Sequence, residues 1–171
     1  CSKWNECEVD IVQPYVHTIF LPAMLGCLVN TRFVELEKER HYEFKAINEE
    51  GEILPVTGRT DHCAKIAESD CRAFVVEDKT ICKKLSDQCI AQTRTEMMVE
   101  VRDTFEYYNY IPERYYGVLH NCSDWLFIER LVHGNNVHWS YVKLQPIFTS
   151  DYGINLDNCK LVANYLEHVL K

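Results

Sequence analysis

The sequence predicts a single α/β domain, residues 1–171, in which a mixed β-sheet is flanked by helices in the order αββββαβββα. Apolar residues make up 47% of the chain, which suits one domain with a sizeable core. Three segments repeat apolar residues at helical spacing, and several shorter ones look extended between turn-forming residues. This order of strands and helices favours one sheet covered by helices.

The first element is an opening helix, Glu6 to Asn30, whose apolar residues recur every three or four positions. Pro14 and Pro22 predict a kink or a division into two short helices. The same prolines, with His17, interrupt the most apolar part of the chain, so no run reaches the roughly 18 residues of a membrane helix. We therefore expect a soluble protein with no membrane partner.

Four strands are predicted next, in two pairs whose members are joined by short polar turns. They run from Arg40 to Ile47 and Glu52 to Val56, then from Thr60 to Ile66 and Cys71 to Thr80. The turn of the second pair is centred near Ser69. The last strand contains the apolar run 73–76, which is typical of a central strand buried on both faces.

A long helix, Ser86 to Tyr108, follows and is expected to cross over the sheet, since apolar residues form one stripe along it. Three more strands and a closing amphipathic helix complete the chain. Their predicted ranges are Tyr115 to His120, Trp125 to Leu131, Val137 to Leu144 and, for the helix, Leu156 to Leu170.

The charged residues and the cysteines limit the classes of function. Acidic residues outnumber basic ones by 26 to 18, which argues against a broad phosphate-binding surface but leaves room for a local basic cleft. The nine cysteines form no Cys-x-x-Cys pair, which disfavours a structural zinc site and favours reduced, intracellular thiols. The chain starts at Cys1 without a signal-peptide pattern, so we expect a piece of a longer protein.

The most informative stretch pairs an acidic residue on one predicted strand with an acid-x-Lys triplet on the next. If the hairpin turns about Ser69, Asp61 lies opposite Glu77, with their side chains on one face about 5 Å apart. Lys79, two residues beyond Glu77, points to the same face. Two opposed carboxylates repel each other unless a cation lies between them, and Mg²⁺ or Mn²⁺ suits such oxygen ligands. Asp78, which adjoins Glu77, is a further candidate ligand.

These residue types indicate phosphodiester hydrolysis. A carboxylate-bound divalent ion polarises the phosphodiester and acidifies a bound water, while a lysine can orient that water or stabilise the developing charge. The competing interpretation is a solvated ion pair at a strand end, because acid-x-Lys triplets also arise by chance. Glu43-Phe44-Lys45 is such a triplet; it has no partner Asp strand across a short turn, and we expect it to face water.

The same residues resemble the PD-(D/E)xK nuclease superfamily, and in particular the nuclease-like domains of Crinkler-type effectors of fungi and oomycetes. The resemblance covers Glu6 to about Leu131. Its motifs, in order, are Asn5-Glu6, Gly58-Arg59-Thr60-Asp61, Glu77-Asp78-Lys79, Gln88 with Gln92, and Tyr116-Gly117-Val118-Leu119 with Trp125 and Phe127. Thr60 stands where the family name has Pro, which is a common variation.

The resemblance implies a restriction-endonuclease-like fold and a role for each matching residue. Asp61 and Glu77 would bind the metal, and Lys79 would orient water or stabilise charge. Accessory groups would come from two helices. They are Glu6, or its neighbours Glu8 and Asp10, on the first helix, and Gln92, more than Gln88, on the second.

The implied function is that of a Mg²⁺- or Mn²⁺-dependent endonuclease acting on DNA, with RNA as a second candidate substrate, in the nucleus of a host cell if the effector resemblance holds. One alternative is a catalytically silent domain of the same fold that binds nucleic acid or a host protein. A silent domain usually lacks the Asp, the acid or the Lys, and this chain retains all three. Another is an interaction module in which Glu77 and Lys79 form only a surface ion pair. The choice between monomer and homodimer is also open.

Overall fold

A computed structural model shows an α/β fold with six strands and two helices in the part of the chain that it describes. It describes residues 34–66, 72–80, 83–149 and 153–170. The elements are β1 (Val34–Ile47), β2 (Ile53–Ile66), β3 (Arg72–Asp78), α1 (Asp87–Tyr108), β4 (Arg114–His120), β5 (Trp125–His133), β6 (Asn136–Lys143) and α2 (Leu156–Leu170). The predicted opening helix lies outside the described residues, and with it lie Glu6, Glu8 and Asp10.

The six strands form one mixed sheet whose spatial order, β1-β2-β3-β4-β5-β6, follows the chain. Neighbouring strands are antiparallel except β3 and β4, which are parallel. A parallel pair needs a crossover connection, and α1 provides it, as expected for the long helix. The predicted class, a mixed α/β sheet flanked by helices, is confirmed at this level.

The predicted order is wrong at one point, since three strands precede α1 in the described residues where four were expected. The segments predicted as Glu52 to Val56 and Thr60 to Ile66 belong to one continuous strand, β2, which runs through Gly58. Gly58 faces Tyr42 on β1, and the Tyr42 ring occupies the space that a side chain at position 58 would need. Gly58 therefore permits close packing between strands and begins no turn, so the described order is βββαβββα.

Helix α1 begins and ends close to its predicted limits because both ends are capped. The Ser86 side chain accepts a hydrogen bond from the Cys89 N–H, and Asp87 places a negative charge in the first turn. At the other end, Asn109 adopts a left-handed conformation with φ 52°, and its N–H donates to Phe105 O. The closing helix, α2, has the predicted limits.

The sheet has a hydrophobic core on each face. On one face the central strands pack against α1, through Val75, Leu119, Ile128, Met97 and Val101. On the other face the same strands pack against α2, through Phe74, Val76, Val118, Phe127, Val162 and Leu166. Strand β3 is therefore buried on both faces, as predicted, and its successive side chains face different helices.

The burial of the cysteines and the character of the helices relate to two predictions made from composition. Cys63, Cys89 and Cys122 are buried and Cys159 is partly exposed, and buried cysteines pack as small apolar residues. Neither of the described helices has the length and apolar character required to cross a membrane.

Helix α1 rests on β4 at Gly117, and this close approach provides a test of the packing. A Cβ atom at position 117 would lie 2.5 Å from Met97 Sδ and 3.1 Å from Thr93 Cγ2. We expect Gly117→Ala to lower the free energy of unfolding by about 1–3 kcal/mol through overpacking, as measured by chemical denaturation. In a Met97→Ala background the same substitution should cost less. An equal cost in both backgrounds would show that the two residues do not compete for this space.

Candidate active site

The pairing of β2 with β3 brings the predicted acidic residues to one end of the sheet. His62 pairs with Val76, which is the predicted register. Asp61 and Glu77 are the next residues outward on the two strands. Asp61 Oδ2 accepts a hydrogen bond of 2.9 Å from the Asp78 N–H, so the Asp61 carboxylate lies at the carboxyl end of β3.

Glu77 and Lys79 form a buried ion pair. The relative exposure of Glu77 is 1% and that of Lys79 is 4%. Lys79 Nζ donates hydrogen bonds to Glu77 Oε1 and, over 3.2 Å, to Gln92 Oε1 on α1. The interpretation of this pair as a solvated ion pair at the protein surface is therefore wrong. By contrast, Glu43 and Lys45 of the second acid-x-Lys triplet are exposed, as predicted.

Helix α1 adds a second glutamate, Glu96, which was not among the predicted site residues. Gln92 Nε2 donates to Glu77 Oε1 (2.5 Å) and to Glu96 Oε1 (3.1 Å), so this amide links strand and helix. Glu96 is fully buried, whereas Gln88, one turn before Gln92, is exposed. The sequence does contain a signal for Glu96, because polar residues recur every four positions along this helix, from Gln88 to Glu100.

Asp61, Glu77, Lys79, Gln92 and Glu96 together are termed the acidic cluster. Burial is the main cause that raises the pKa of each of its three carboxylates, and repulsion from neighbouring carboxylates adds to the effect. The pKa of Glu77 rises from 4.5 to about 10, and that of Glu96 rises to about 7. Lys79 opposes these shifts, but one ammonium cannot balance three carboxylates. The cluster therefore has capacity for protons or for an added cation.

Tyr42 on β1 lies close enough to the acidic cluster to be affected by its charge. Burial raises the pKa of Tyr42 to about 12, and the charges of Glu96 and Glu77 contribute to that rise. The same Tyr42 ring covers Gly58. Gly58 thus allows the Tyr42 hydroxyl to approach the cluster. No short sequence motif indicates that Tyr42 lies there.

Asp78 belongs to the opposite face of the sheet. Its Oδ2 lies 2.7 Å from His62 Nε2 and its Oδ1 lies 2.8 Å from His120 Nε2, with all three side chains fully buried. Burial alone would raise the pKa of Asp78, but hydrogen bonds and charge attraction from the two histidines outweigh it and hold the pKa well below its ordinary value. The structure therefore does not bring the Asp78 carboxylate together with Asp61 and Glu77, although it was a predicted metal ligand.

The polar stripe on α1, which runs from Gln88 to Glu100 with Asp103 beyond it, meets a cation of β1 at its later end. Arg40 on β1 donates to Glu100 Oε2 (2.6 Å) and to Asp103 Oδ2 (2.5 Å). Arg102 also contacts Asp103 Oδ1 at 2.9 Å, so two guanidiniums pair with these two acids. The uncompensated negative charge of the stripe consequently concentrates at Glu96, beside Glu77.

The chemistry of the acidic cluster suits a divalent cation. Glu77 Oε2 and Glu96 Oε2 are buried and have no hydrogen-bond partner among the residues that the structure describes. Such oxygens are costly unless a proton or a cation satisfies them, and Mg²⁺ and Mn²⁺ prefer oxygen ligands. Within the same residues, no group of three or more His, Cys, Asp or Glu side chains is arranged to hold a metal ion. The case for a divalent cation therefore rests on the oxygen ligands that the cluster offers and on the two carboxylate oxygens that have no partner in the described residues.

The chain has no match among protein-family models and none among curated proteins. The resemblance to PD-(D/E)xK nucleases and to Crinkler-type effectors therefore stays a prediction. The function must be argued from the geometry and charge of the acidic cluster.

The raised pKa values predict how stability depends on pH. Because the folded-state pKa values of about 7 and 10 exceed the ordinary value of 4.5, the folded protein binds these protons more tightly than the unfolded chain does. This contribution to stability is complete below an ordinary carboxylate pKa and is lost as the pH rises toward the folded values. Without divalent ions, the melting temperature should therefore fall as the pH rises from about 4.5 to about 10.

Glu77→Gln should flatten this fall, because the group with the largest shift no longer titrates. Circular-dichroism melting curves at a series of pH values in EDTA measure the effect. Glu43→Gln, which removes an exposed carboxylate on β1, is the matched control and should melt as the native protein does. A native pH profile in the Glu77→Gln protein would contradict the assignment of the shift.

Proposed function

We propose that this protein is a metal-dependent nuclease that hydrolyses phosphodiester bonds of DNA, with RNA as the second candidate substrate. The observation that carries the proposal is the acidic cluster, in which three buried carboxylates share one lysine. Burying an excess of negative charge lowers the stability of the fold, so its presence indicates a role other than folding. Binding a divalent ion for phosphodiester chemistry is such a role.

Asp61 and Glu77 are the residues that would hold the ion. Asp61 is positioned by the Asp78 N–H, and Glu77 retains an unpartnered oxygen within the described residues. Asp78 itself is engaged by two histidines on the other face of the sheet. When bound, the ion supplies Lewis-acid polarisation of the phosphodiester and positive charge for the developing phosphorane.

Lys79 supplies the positive charge that the chain itself contributes to the reaction. Its ammonium is positioned by hydrogen bonds to Glu77 Oε1 and Gln92 Oε1. From there it can donate a hydrogen bond to the attacking water or to a phosphoryl oxygen that gains negative charge in the transition state. Gln92 is a positioning residue, because its amide accepts from Lys79 and donates to Glu77 and Glu96.

Glu96 is the group best suited to accept a proton from the attacking water. Burial raises its pKa above that of an exposed carboxylate, so it holds a proton more readily than an exposed glutamate does. Its Oε2 has no hydrogen-bond partner among the described residues, which leaves one acceptor site. Transfer of a water proton to Glu96 Oε2 would accompany formation of the new P–O bond, while the P–O bond to the leaving sugar oxygen breaks and that oxygen takes a proton from solvent water.

The finer parts of the proposal come from the sequence resemblance. They are the restriction-endonuclease-like arrangement, an accessory acid at Glu6, and an effector role in the nucleus of a host cell. Two features support the first of these. A crossover helix joins β3 to β4, and Glu77 and Lys79 of one matching motif contact Gln92 of another at one end of the sheet.

A second candidate function is that of a catalytically silent domain that binds nucleic acid or a host protein. One observation favours it, since the described residues contain no arranged three-ligand metal group. The two candidates differ in one experiment, in which the purified protein is incubated with plasmid and with single-stranded DNA, with and without Mg²⁺ or Mn²⁺. Metal-dependent cleavage supports the nuclease, whereas binding without cleavage supports the silent domain.

Asp61→Asn tests the carboxylates as metal ligands. A divalent ion should raise the melting temperature of the native protein, because a ligand that binds only the folded state stabilises it. The substitution should abolish that rise but leave the ion-free protein at least as stable, since one repelling carboxylate is neutralised and the amide oxygen can still accept from the Asp78 N–H. Thermal melting in EDTA, Mg²⁺ and Mn²⁺ measures both effects. Lower stability in EDTA would count against a cluster of repelling carboxylates.

Lys79→Ala separates catalysis from metal binding. It should reduce phosphodiester cleavage at least about 100-fold but preserve the metal-induced rise in melting temperature, because a protonated lysine cannot ligate a cation. Glu77→Ala should lose both properties. Cleavage is followed with plasmid DNA in Mg²⁺.

The matched control for Lys79→Ala is Lys160→Ala, which removes an exposed lysine of α2 that pairs with Asp157. This variant should cleave at the native rate. Native cleavage by the Lys79→Ala protein would remove Lys79 from the mechanism.

A further inference from the structure

Helix α1 borders a second surface, a groove of about 560 Å³ that also involves β1 and β6. Among the residues that the structure describes, this basic groove is lined by three cationic residues, Lys45, Arg94 and Arg102, and by no acidic one. Apolar side chains form most of the remaining wall, including Phe44, Met98 and Trp139. Its size lies within the range of small-molecule sites, so it can hold a ligand of nucleotide dimensions.

The charge of the basic groove is opposite to that of the chain, which has a net charge of −8. No ion pair joins Lys45 or Arg94 to another residue in the described part of the chain, whereas Arg102 contacts Asp103 (2.9 Å) and Glu106 (3.4 Å). Lys45 and Arg94 are therefore the cations best able to contact an anionic ligand. A local basic groove on an acidic protein suits a ligand that carries phosphate.

Two of the cations lie over aromatic rings. Arg94 Cζ is 4.3 Å from the centroid of the Trp139 ring, and Arg102 Cζ is 4.7 Å from that of Phe44. A guanidinium held in this way is preorganised, since its N–H groups can donate to phosphate while the planar groups offer stacking surfaces to a base. Phosphate donors beside stacking surfaces are the combination that binds unpaired nucleotides.

The basic groove adjoins the acidic cluster along two elements. On β1, Tyr42 is near the cluster and Phe44, on the same face of the strand, lines the groove; their ring centroids are 6.2 Å apart. On α1, Gln92 belongs to the cluster and Thr95, less than one turn later, lines the groove. A strand bound in the groove would therefore lie close to the carboxylates and to Lys79.

We propose that the basic groove binds unpaired nucleotides of a single-stranded nucleic acid and directs the strand to the acidic cluster. The inference rests on the proposed nuclease function and narrows its substrate to single-stranded or locally unpaired nucleic acid. A duplex suits the groove less well, because its bases are stacked on one another and cannot stack on Trp139 or Arg94. Duplex binding also relies on neutralising many phosphates, which the net charge of −8 disfavours.

Binding measured without cleavage tests the groove by itself. A fluorescein-labelled deoxythymidine oligonucleotide of about ten nucleotides is titrated with the full chain in EDTA, and fluorescence anisotropy gives the Kd. We expect Arg94→Ala and Trp139→Leu each to raise the Kd about tenfold, and Trp139→Phe to remain closer to the native value. The control Lys160→Ala, which removes an exposed cation from α2 on the other face of the sheet, should leave the Kd unchanged.

The salt dependence of the Kd reports on phosphate contact, and competition by unlabelled nucleic acids reports on base stacking. Arg94→Ala should reduce the slope of log Kd against log salt concentration by about 0.7, the value for one single-strand phosphate contact, which a purely structural change would not do. An unlabelled single strand should displace the labelled one, and a duplex of the same composition should displace it much less. Equal displacement by the duplex or by polyglutamate would refute recognition by base stacking.

Failure of this inference is distinguishable from failure of the nuclease proposal. If the native protein does not bind the oligonucleotide at low salt, or if Arg94→Ala and Trp139→Leu bind it normally at native melting temperatures, the groove inference is wrong, whatever cleavage is observed. If binding depends on Arg94 and Trp139 but no cleavage occurs with Mg²⁺ or Mn²⁺, the nuclease proposal is wrong. The groove then stands as the binding site of a silent domain.

Discussion

Strand β3 ends in charged residues although helices cover both of its faces, and much of the surrounding structure satisfies that constraint. Charged groups that cannot reach water need partners inside the protein. The two sides of the sheet provide different partners for consecutive residues. On the α1 side, Gln92 and Glu96 surround Glu77, and on the α2 side two histidines contact Asp78. The polar groups of α1, β2 and β4 near this end are thus arranged around a single strand terminus.

The difference between the two sides gives neighbouring carboxylates opposite behaviour. Asp78 is contacted by His62 and His120, so attraction outweighs burial and its pKa falls. Glu77 shares the charge of Lys79 with other acids, so burial and repulsion prevail and its pKa rises. The two histidines therefore compensate the charge of Asp78, whereas Glu77 retains an oxygen that a proton or a cation can occupy. Perturbed carboxylates with such capacity are typical of functional sites, and for this reason the proposed site lies on the α1 side of the sheet.

The sequence predicted the site best where local backbone geometry decides which side chains share a face. The predicted β2–β3 register holds from His62–Val76 to Ala64–Phe74, and it shifts by one residue between Ala64 and Lys65. The alternation of side chains along a strand placed Glu77 and Lys79 on one face. The same alternation turns Asp78 to the other face, so adjacency to Glu77 was a weak reason to expect a ligand there. The break expected between Val56 and Thr60 is absent because Gly58 lies within β2 and packs against Tyr42, a contact that depends on the position of Tyr42 across the sheet. The opening helix and its acids lie outside the described residues and stay a prediction.

Helix α1 shows why charged motifs alone could not reveal the whole site. The helix has an apolar side toward the sheet, an acidic side toward β3 and a basic side toward the groove, and successive residues on a helix are about 100° apart. Which residue serves which surface therefore depends on the rotation of the helix about its own axis. The contact between Met97 and Gly117 fixes that rotation, because a larger residue at 117 would collide with the Met97 side chain. With Met97 on the sheet, Glu96 turns to Glu77 and Arg94 to the groove, so an apolar contact without polar atoms of its own positions both surfaces.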